Sequence, residues 1–163
     1  MDTISNSDSS RMGKAVEHLV AATCILQSRG QLNVSTSLVD DEGVDLVFHR
    51  RGGSATLAVQ VKARMSDSKG LRSGVFSANV RSETMHPRDD LSALFVAADV
   101  AAGSFDICWL VPSAELAARA RRDSHGRYRF IASTKPDSRD QWRPFRRGRA
   151  ELPEELLHRL AGT

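Results

Sequence analysis

The sequence predicts an α/β or α+β domain in which a central mixed sheet is flanked by helices, and three features point to it. An amphipathic helix opens the chain, closely spaced strand-like segments follow it, and strongly apolar strands then alternate with helical stretches. The 163 residues are enough for one domain with a sizeable core and short for two. Residues 11–163 are therefore read as one domain, preceded by a polar, acidic lead-in over residues 1–10 that is expected to be disordered.

Each element has its own local signal. Ser9 or Ser10 caps a helix from about Arg11 to Ser28, with Val16, Leu19, Val20, Thr23 and Leu26 at helical spacing. Gly30 closes that helix in the left-handed conformation common at C-termini. A short strand is expected over Leu32 to Leu38, then an acidic turn, Asp40-Asp41-Glu42-Gly43. Strands follow over Val44 to His49 and Ala55 to Arg64. The polar stretch from Met65 to Arg88 is left unassigned except for a strand over Gly74 to Val80. Apolar strands over Ala93 to Val100 and Phe105 to Val111 come next, then a helix from Pro112 to about Arg121. A strand over Arg127 to Ala132 and a helix over Pro153 to Leu160 complete the reading.

Composition removes several function classes. A content of 40% hydrophobic and 26% charged residues is that of a water-exposed globular domain. No apolar run approaches the roughly 18–20 residues that span a bilayer, so no membrane partner is expected. The N-terminus reads as neither a secretory nor a transit signal. Cys24 and Cys108 lack disulfide-framework or metal-ligand spacing, which makes a reducing cytoplasm the expected compartment. The net charge is only +3, yet residues 139–149 hold arginines at positions 139, 143, 146, 147 and 149, interleaved with Trp142 and Phe145. That mixture suits phosphate contacts and base stacking, its alternative being a solvated tail.

The stretch from Val44 to Arg64 carries the chemistry. Gly52-Gly53 is a favoured two-residue hairpin turn. With that turn, Arg51 lies opposite Ser54 and Asp45 lies opposite Gln60, on one face of the hairpin. The alternation agrees: Leu46, Phe48, Leu57, Val59 and Val61 form one apolar face, while Asp45, His49, Gln60 and Lys62 share the other with Val47 and Ala58. A one-residue slip would bury Gln60 and Lys62, so the pattern enforces the register. An acid, an amide and an amine gathered on one face suit metal-assisted phosphodiester hydrolysis. Asp45 is a hard oxygen ligand for Mg²⁺, and the Gln60 amide oxygen and Val61 carbonyl can complete its protein shell. Lys62 is placed to orient or deprotonate the attacking water and to stabilise the charged transition state. Glu17, beside the apolar stripe of the first helix, is the candidate fourth member.

Glu17 on an N-terminal helix, followed by Gly43-Val44-Asp45-Leu46 and Val59-Gln60-Val61-Lys62, resembles the PD-(D/E)xK nuclease superfamily. The resemblance is to the branch whose third motif reads Q-x-K, with its Holliday-junction-resolvase-like and uncharacterised bacterial endonuclease-like members. The strand-strand-helix run from Leu94 to Ala118 adds to it, and residues 11 to 120 are covered. It implies a restriction-endonuclease-like αβββαβ core, Mg²⁺ or Mn²⁺ as cofactor, DNA as substrate, and a homodimer among the assemblies open to the chain. Catalysis then falls to Glu17, Asp45, Gln60 and Lys62, with metal held by Asp45, Gln60, Val61 and Glu17. Lys14, Arg64, Lys69, Arg72, Arg143, Arg146 and Arg147 are the expected nucleic-acid contacts.

Plainer readings stand beside these. Lys14 is placed to pair with Glu17 at i, i+3, Asp45 with Lys62, and His49 is either a phosphate or metal contact or a solvated strand residue. Gln60, where most of the superfamily has an acid, motivates the alternative of a nuclease-fold DNA-binding or assembly subunit that does not cut. A defence-system accessory component or toxin acting on RNA is the third reading.

Overall fold

A computed structural model describes residues 6–37 and 43–161. Residues 1–5 of the expected lead-in and the acids Asp40, Asp41 and Glu42 lie outside the described residues. The opening helix, α1, spans Asn6–Gln27, so residues 6–10 are helical instead of part of a disordered segment. The next three strands are β1 (Leu32–Thr36), β2 (Leu46–Arg50) and β3 (Thr56–Met65). A one-turn helix α2 (Lys69–Arg72) and strand β4 (Val75–Val80) follow, then a 3₁₀ turn over Ser82–Thr84. After them come β5 (Leu91–Asp99), β6 (Ser104–Pro112) and α3 (Ser113–Arg119). The chain continues through β7 (Arg121–Arg122), β8 (Tyr128–Ser133), a 3₁₀ turn at Arg143–Phe145, β9 (Arg146–Gly148) and α4 (Glu151–Ala161). No described helix is long and apolar enough to cross a membrane.

The central sheet is mixed, in the order β1-β2-β3-β5-β6-β9, and only β3 and β5 run parallel. The elements α1, β1, β2, β3, α2 and β5 give the expected αβββαβ order, with the crossover helix reduced to a single turn and β4 inserted after it. That strand pairs with β8 in a second, three-stranded sheet ordered β4-β8-β7.

Each face of the central sheet packs a separate core. On the first face, α1 and α4 bury Val16, Val20, Cys24, Leu152, Leu156 and Leu160 against Leu46, Phe48, Val59 and Val61. The buried stripe of α1 therefore runs through Cys24 and not Leu26, which is 75% exposed. On the second face, the small sheet and α3 bury Phe76, Phe130 and Leu116 against Phe95 and Trp109. Both cysteines are buried free thiols, and burial pushes the Cys24 thiol up to about 12.

The hairpin ladder pairs Leu46 with Val59, Val47 with Ala58, Phe48 with Leu57 and His49 with Thr56, the register that the apolar alternation predicts. Its turn differs. Gly53 N–H donates to Arg50 O at 2.9 Å and Gly52 alone takes positive φ (77°), so Arg51 and Ser54 form no pair. The cause is tertiary: Arg51 N–H donates to Gln31 O at 2.8 Å, which ties the strand end to the turn after α1.

Segment 139–149 is built into the fold and is neither a solvated tail nor a stacking platform. Trp142 is 1% exposed in the second core, where it is unavailable to nucleic-acid bases, and β9 is the edge strand of the central sheet.

Phe130 joins the second core together. Its ring stacks on Phe95 at 3.8 Å and lies 4.9 Å from Trp142 and 5.7 Å from Trp109. Phe130→Ala should cost about 3–5 kcal/mol in denaturant unfolding; a loss below about 1 kcal/mol would show that this core is not cooperative with the rest.

Candidate active site

β3 outruns its neighbour. β2 pairs with it only as far as Leu46 and Val59, while β3 continues to Met65. On that side Val59 O still accepts from Asp45 N at 3.0 Å. N–H and C=O of one strand residue point the same way, and alternate residues share a direction, so Val61 also faces the side that β2 has left. A strand N–H inside a fold needs a partner. Asp45 supplies it: Oδ2 accepts from Val61 N at 2.7 Å. Asp45 thus stands just outside the ladder, where its carboxylate replaces the missing strand. The Val61 carbonyl opens to the same gap.

Gln60 and Lys62 point to β5 with their backbones, alongside Ala93 and Phe95 in the parallel ladder. Their side chains lie on the face that carries the second core. Gln60 is 7% exposed, and its Oε1 is buried without a hydrogen-bond partner among the described residues. An unpaired buried acceptor costs roughly 1–3 kcal/mol, which selection tolerates more readily where the atom has a use. Its Nε2 lies against Gly43, at which an added Cβ would stand 3.3 Å from Nε2 and 2.9 Å from Thr84 Cβ. With φ at +71° as well, Gly43 has neither the conformation nor the room for a side chain. Lys62 is half-buried, and its amine has no hydrogen-bond or ion-pair partner among the described residues.

Asp45, Gln60, Val61 and Lys62 are therefore brought together. Glu17 stands apart from them in two respects. Its helix packs on the first face, through Val16 and Val20, and its carboxylate takes Lys14 Nζ at 2.7 Å. Such an i, i+3 pair is worth only about 0.2–0.5 kcal/mol, so it does not lock the glutamate. His49 lies toward the hairpin turn, at the far end of β2 from Asp45, opposite Asn33 of β1.

The basic residues divide in the same manner. Lys69 and Arg72 on α2 are exposed and make no ion pair among the described residues. Arg64 is spent on the fold: Nε donates to Ser77 O at 2.8 Å and Nη1 to Ala63 O at 2.9 Å, and burial lowers its pKa. Arg143 donates to Pro136 O at 2.7 Å. Arg146 donates to Thr134 O at 3.0 Å and Lys135 O at 2.8 Å, with its pKa lowered first by burial and then by Arg143. Arg147 caps Pro144 O at 2.8 Å and pairs with Glu155 at 3.4 Å. Thr84, beside Gly43 and Gln60, was not singled out from sequence, because it falls in the polar stretch with no periodicity to place it.

No family model matches the chain, and no curated protein matches it. Among solved structures it is similar to a bacterial homing endonuclease, I-Ssp6803I, with a TM-score of 0.58 and 17% identity, covering 98% of this chain and 97% of that one. At that identity the likeness is one of fold, and the fold is an endonuclease-like one.

The orphaned Gln60 oxygen makes a stability prediction. Gln60→Met keeps the shape and removes the unpaired acceptor, so unfolding free energy should hold or rise by about 1 kcal/mol. A fall of more than about 1 kcal/mol in chemical denaturation would mean that the amide is a net structural tie.

Proposed function

We propose that this chain is a metal-dependent endonuclease that hydrolyses DNA phosphodiester bonds, a member of the PD-(D/E)xK superfamily in its Q-x-K branch. The observation that carries the reading is the Asp45 carboxylate fixed on Val61 N at 2.7 Å, next in the strand to Gln60, whose buried Oε1 has no partner among the described residues. The endonuclease fold supports it from outside the site.

The donor set fits Mg²⁺ or Mn²⁺. Asp45, Gln60 Oε1 and the Val61 carbonyl would hold the ion through hard oxygens, with Glu17 as the fourth ligand once it leaves Lys14. When bound, the ion supplies a Lewis acid and a water of lowered pKa. The remaining work falls to the chain itself. Asp45 is held in place by the Val61 amide, so the charge at the site is positioned before substrate arrives. Lys62 has no partner among the described residues, and its amine is the group that would orient the attacking water. The same amine stabilises the negative charge that builds on the phosphate oxygens as the new P–O bond forms and the leaving oxygen departs with its electron pair. Lys69, Arg72 and Lys14 hold the flanking phosphates in this reading, and binding should weaken steeply with salt.

A second reading has an observation of its own. Among the described residues no group of three His, Cys, Asp or Glu side chains is arranged to hold a metal, and Glu17 is paired with Lys14. That favours a DNA-binding or assembly subunit which keeps the fold and does not cut.

Cleavage of linear, supercoiled and branched DNA with Mg²⁺ or Mn²⁺ separates the two. The wild type should cut, and Asp45→Ala and Lys62→Ala, shown to be folded by circular dichroism, should each lose about a hundredfold or more. A wild type that binds DNA and never cuts sinks the first reading in favour of the second, and an RNA panel run alongside tests the substrate class.

A further inference from the structure

The small sheet presents an outer face that the fold does not use. Phe76, Ala78, Val80, Tyr128, Phe130 and Ala132 point inward to the second core, so their neighbours along each strand point away. In the register of the sheet, Asn79 lies opposite Arg129 and Arg129 opposite Arg121, which makes one row across all three strands. The adjacent row pairs Ser77 with Ile131, and Ile131 is 44% exposed. The outward positions of the three strands include no acidic residue.

This row is costly on its own terms. Two arginines directly opposite each other repel, and neither guanidinium has a hydrogen-bond or ion-pair partner among the described residues. That contrasts with the neighbours Arg119, Arg122 and Arg127, which pair with Glu115, Tyr128 and Asp123. A cation pair with no anionic partner among the described residues, on a face whose outward strand positions hold no acid, suits an anion from outside.

The face also has the right address and size. β4 is the edge strand nearest β3, tied to it by Arg64 Nε on Ser77 O at 2.8 Å, two residues along β3 from Lys62. Strands β7 and β8, about 4.8 Å apart, form a two-stranded edge that carries Arg121 and Arg129. The major groove of B-form DNA is about 12 Å wide and admits a two-stranded β-ribbon. The major groove of A-form RNA is too narrow and deep for such an entry.

We infer that the small sheet presents the outer face of its β7–β8 edge to the DNA major groove and reads sequence there, with Arg129 and Arg121 as the specificity-determining residues. Arginine is suited to the O6 and N7 acceptors of guanine. The inference rests on the reading of the chain as a DNA endonuclease, and it assigns to this surface the choice of where the cut is made. Lys62, beside the β4 edge, then faces the phosphate backbone bordering that groove.

The test is selection of duplexes from a randomised DNA pool by the full chain, followed by fluorescence anisotropy on the selected sequence. Wild type is compared with Arg129→Gln and Arg121→Gln, and with Arg29→Gln as a charge-matched control on the other side of the molecule. Arg129→Gln and Arg121→Gln should each lose affinity for the selected duplex about tenfold or more and relax the base preference at one position. Arg29→Gln should stay within about twofold. Melting temperatures of the Arg129 and Arg121 variants should hold or rise, because a repulsion is removed. Unchanged affinity and base preference in these two variants overturn the inference, and so does a fall in affinity accompanied by an equal fall in stability. If those variants behave as wild type while the wild type still cuts DNA, the inference alone fails. A wild type that selects no duplex, or prefers structured RNA, removes it together with the reading on which it rests.

Discussion

The early end of β2 against β3 is the constraint from which the site follows. β3 is buried on one side by the parallel strand β5 and continues well past its partner on the other. A backbone amide left facing that gap must find an acceptor, and Asp45 provides one with a carboxylate oxygen. The same bond that satisfies the strand therefore fixes a negative charge at the fork. Gln60 and Lys62 flank Val61 in the strand, and their side chains lie on the face of the second core. Gly43 lets the chain pass tightly over Gln60 on its way to Asp45.

Two cores keep the fork rigid from opposite faces. The helical core grips Val59 and Val61 through α1 and α4. The aromatic core of Phe76, Phe95, Trp109, Phe130 and Trp142 anchors the small sheet over β5 and β6. Arginine side chains brace the connections between these layers: Arg146 reaches the carbonyls after β8, and Arg64 reaches the edge of β4. Cation density in the sequence is thus partly consumed as hydrogen-bond donors to backbone carbonyls, while the cations of α2 and of the outer face of the small sheet are not.

How much of this was legible depended on whether the deciding contact was local. The pairing of Leu46 with Val59 through His49 with Thr56 could be read because a one-residue slip would exchange Leu46 and Phe48 for Val47 and His49 on the buried face. From that register the meeting of Asp45 with the Gln60 segment followed. The turn sits one residue earlier than the glycine pair suggests, since the bond from Arg51 to Gln31 leaves no trace in a local pattern. The stretch from Met65 to Arg88 resisted assignment for a related reason: β4 is stabilised by β8, far along the chain, and Thr84 is placed by Gly43. Composition could not separate an arginine bound to carbonyls from one in solvent, so segment 139–149 was read as surface when it holds a buried tryptophan and an edge strand. For Glu17, helical spacing set it beside the buried stripe, and the partner found there is Lys14.

The central claim is that the fork between β2 and β3 is a divalent-cation site and not only a repair of the ladder. Isothermal titration calorimetry of Mn²⁺ or Mg²⁺ into the full chain, compared with Asp45→Asn, addresses it directly. Asparagine retains an oxygen acceptor for Val61 N while removing the charge, so the fold should survive. The account predicts saturable binding at one class of site in the wild type and its loss in the variant. Equal binding by both proteins, or none by the wild type, would contradict it.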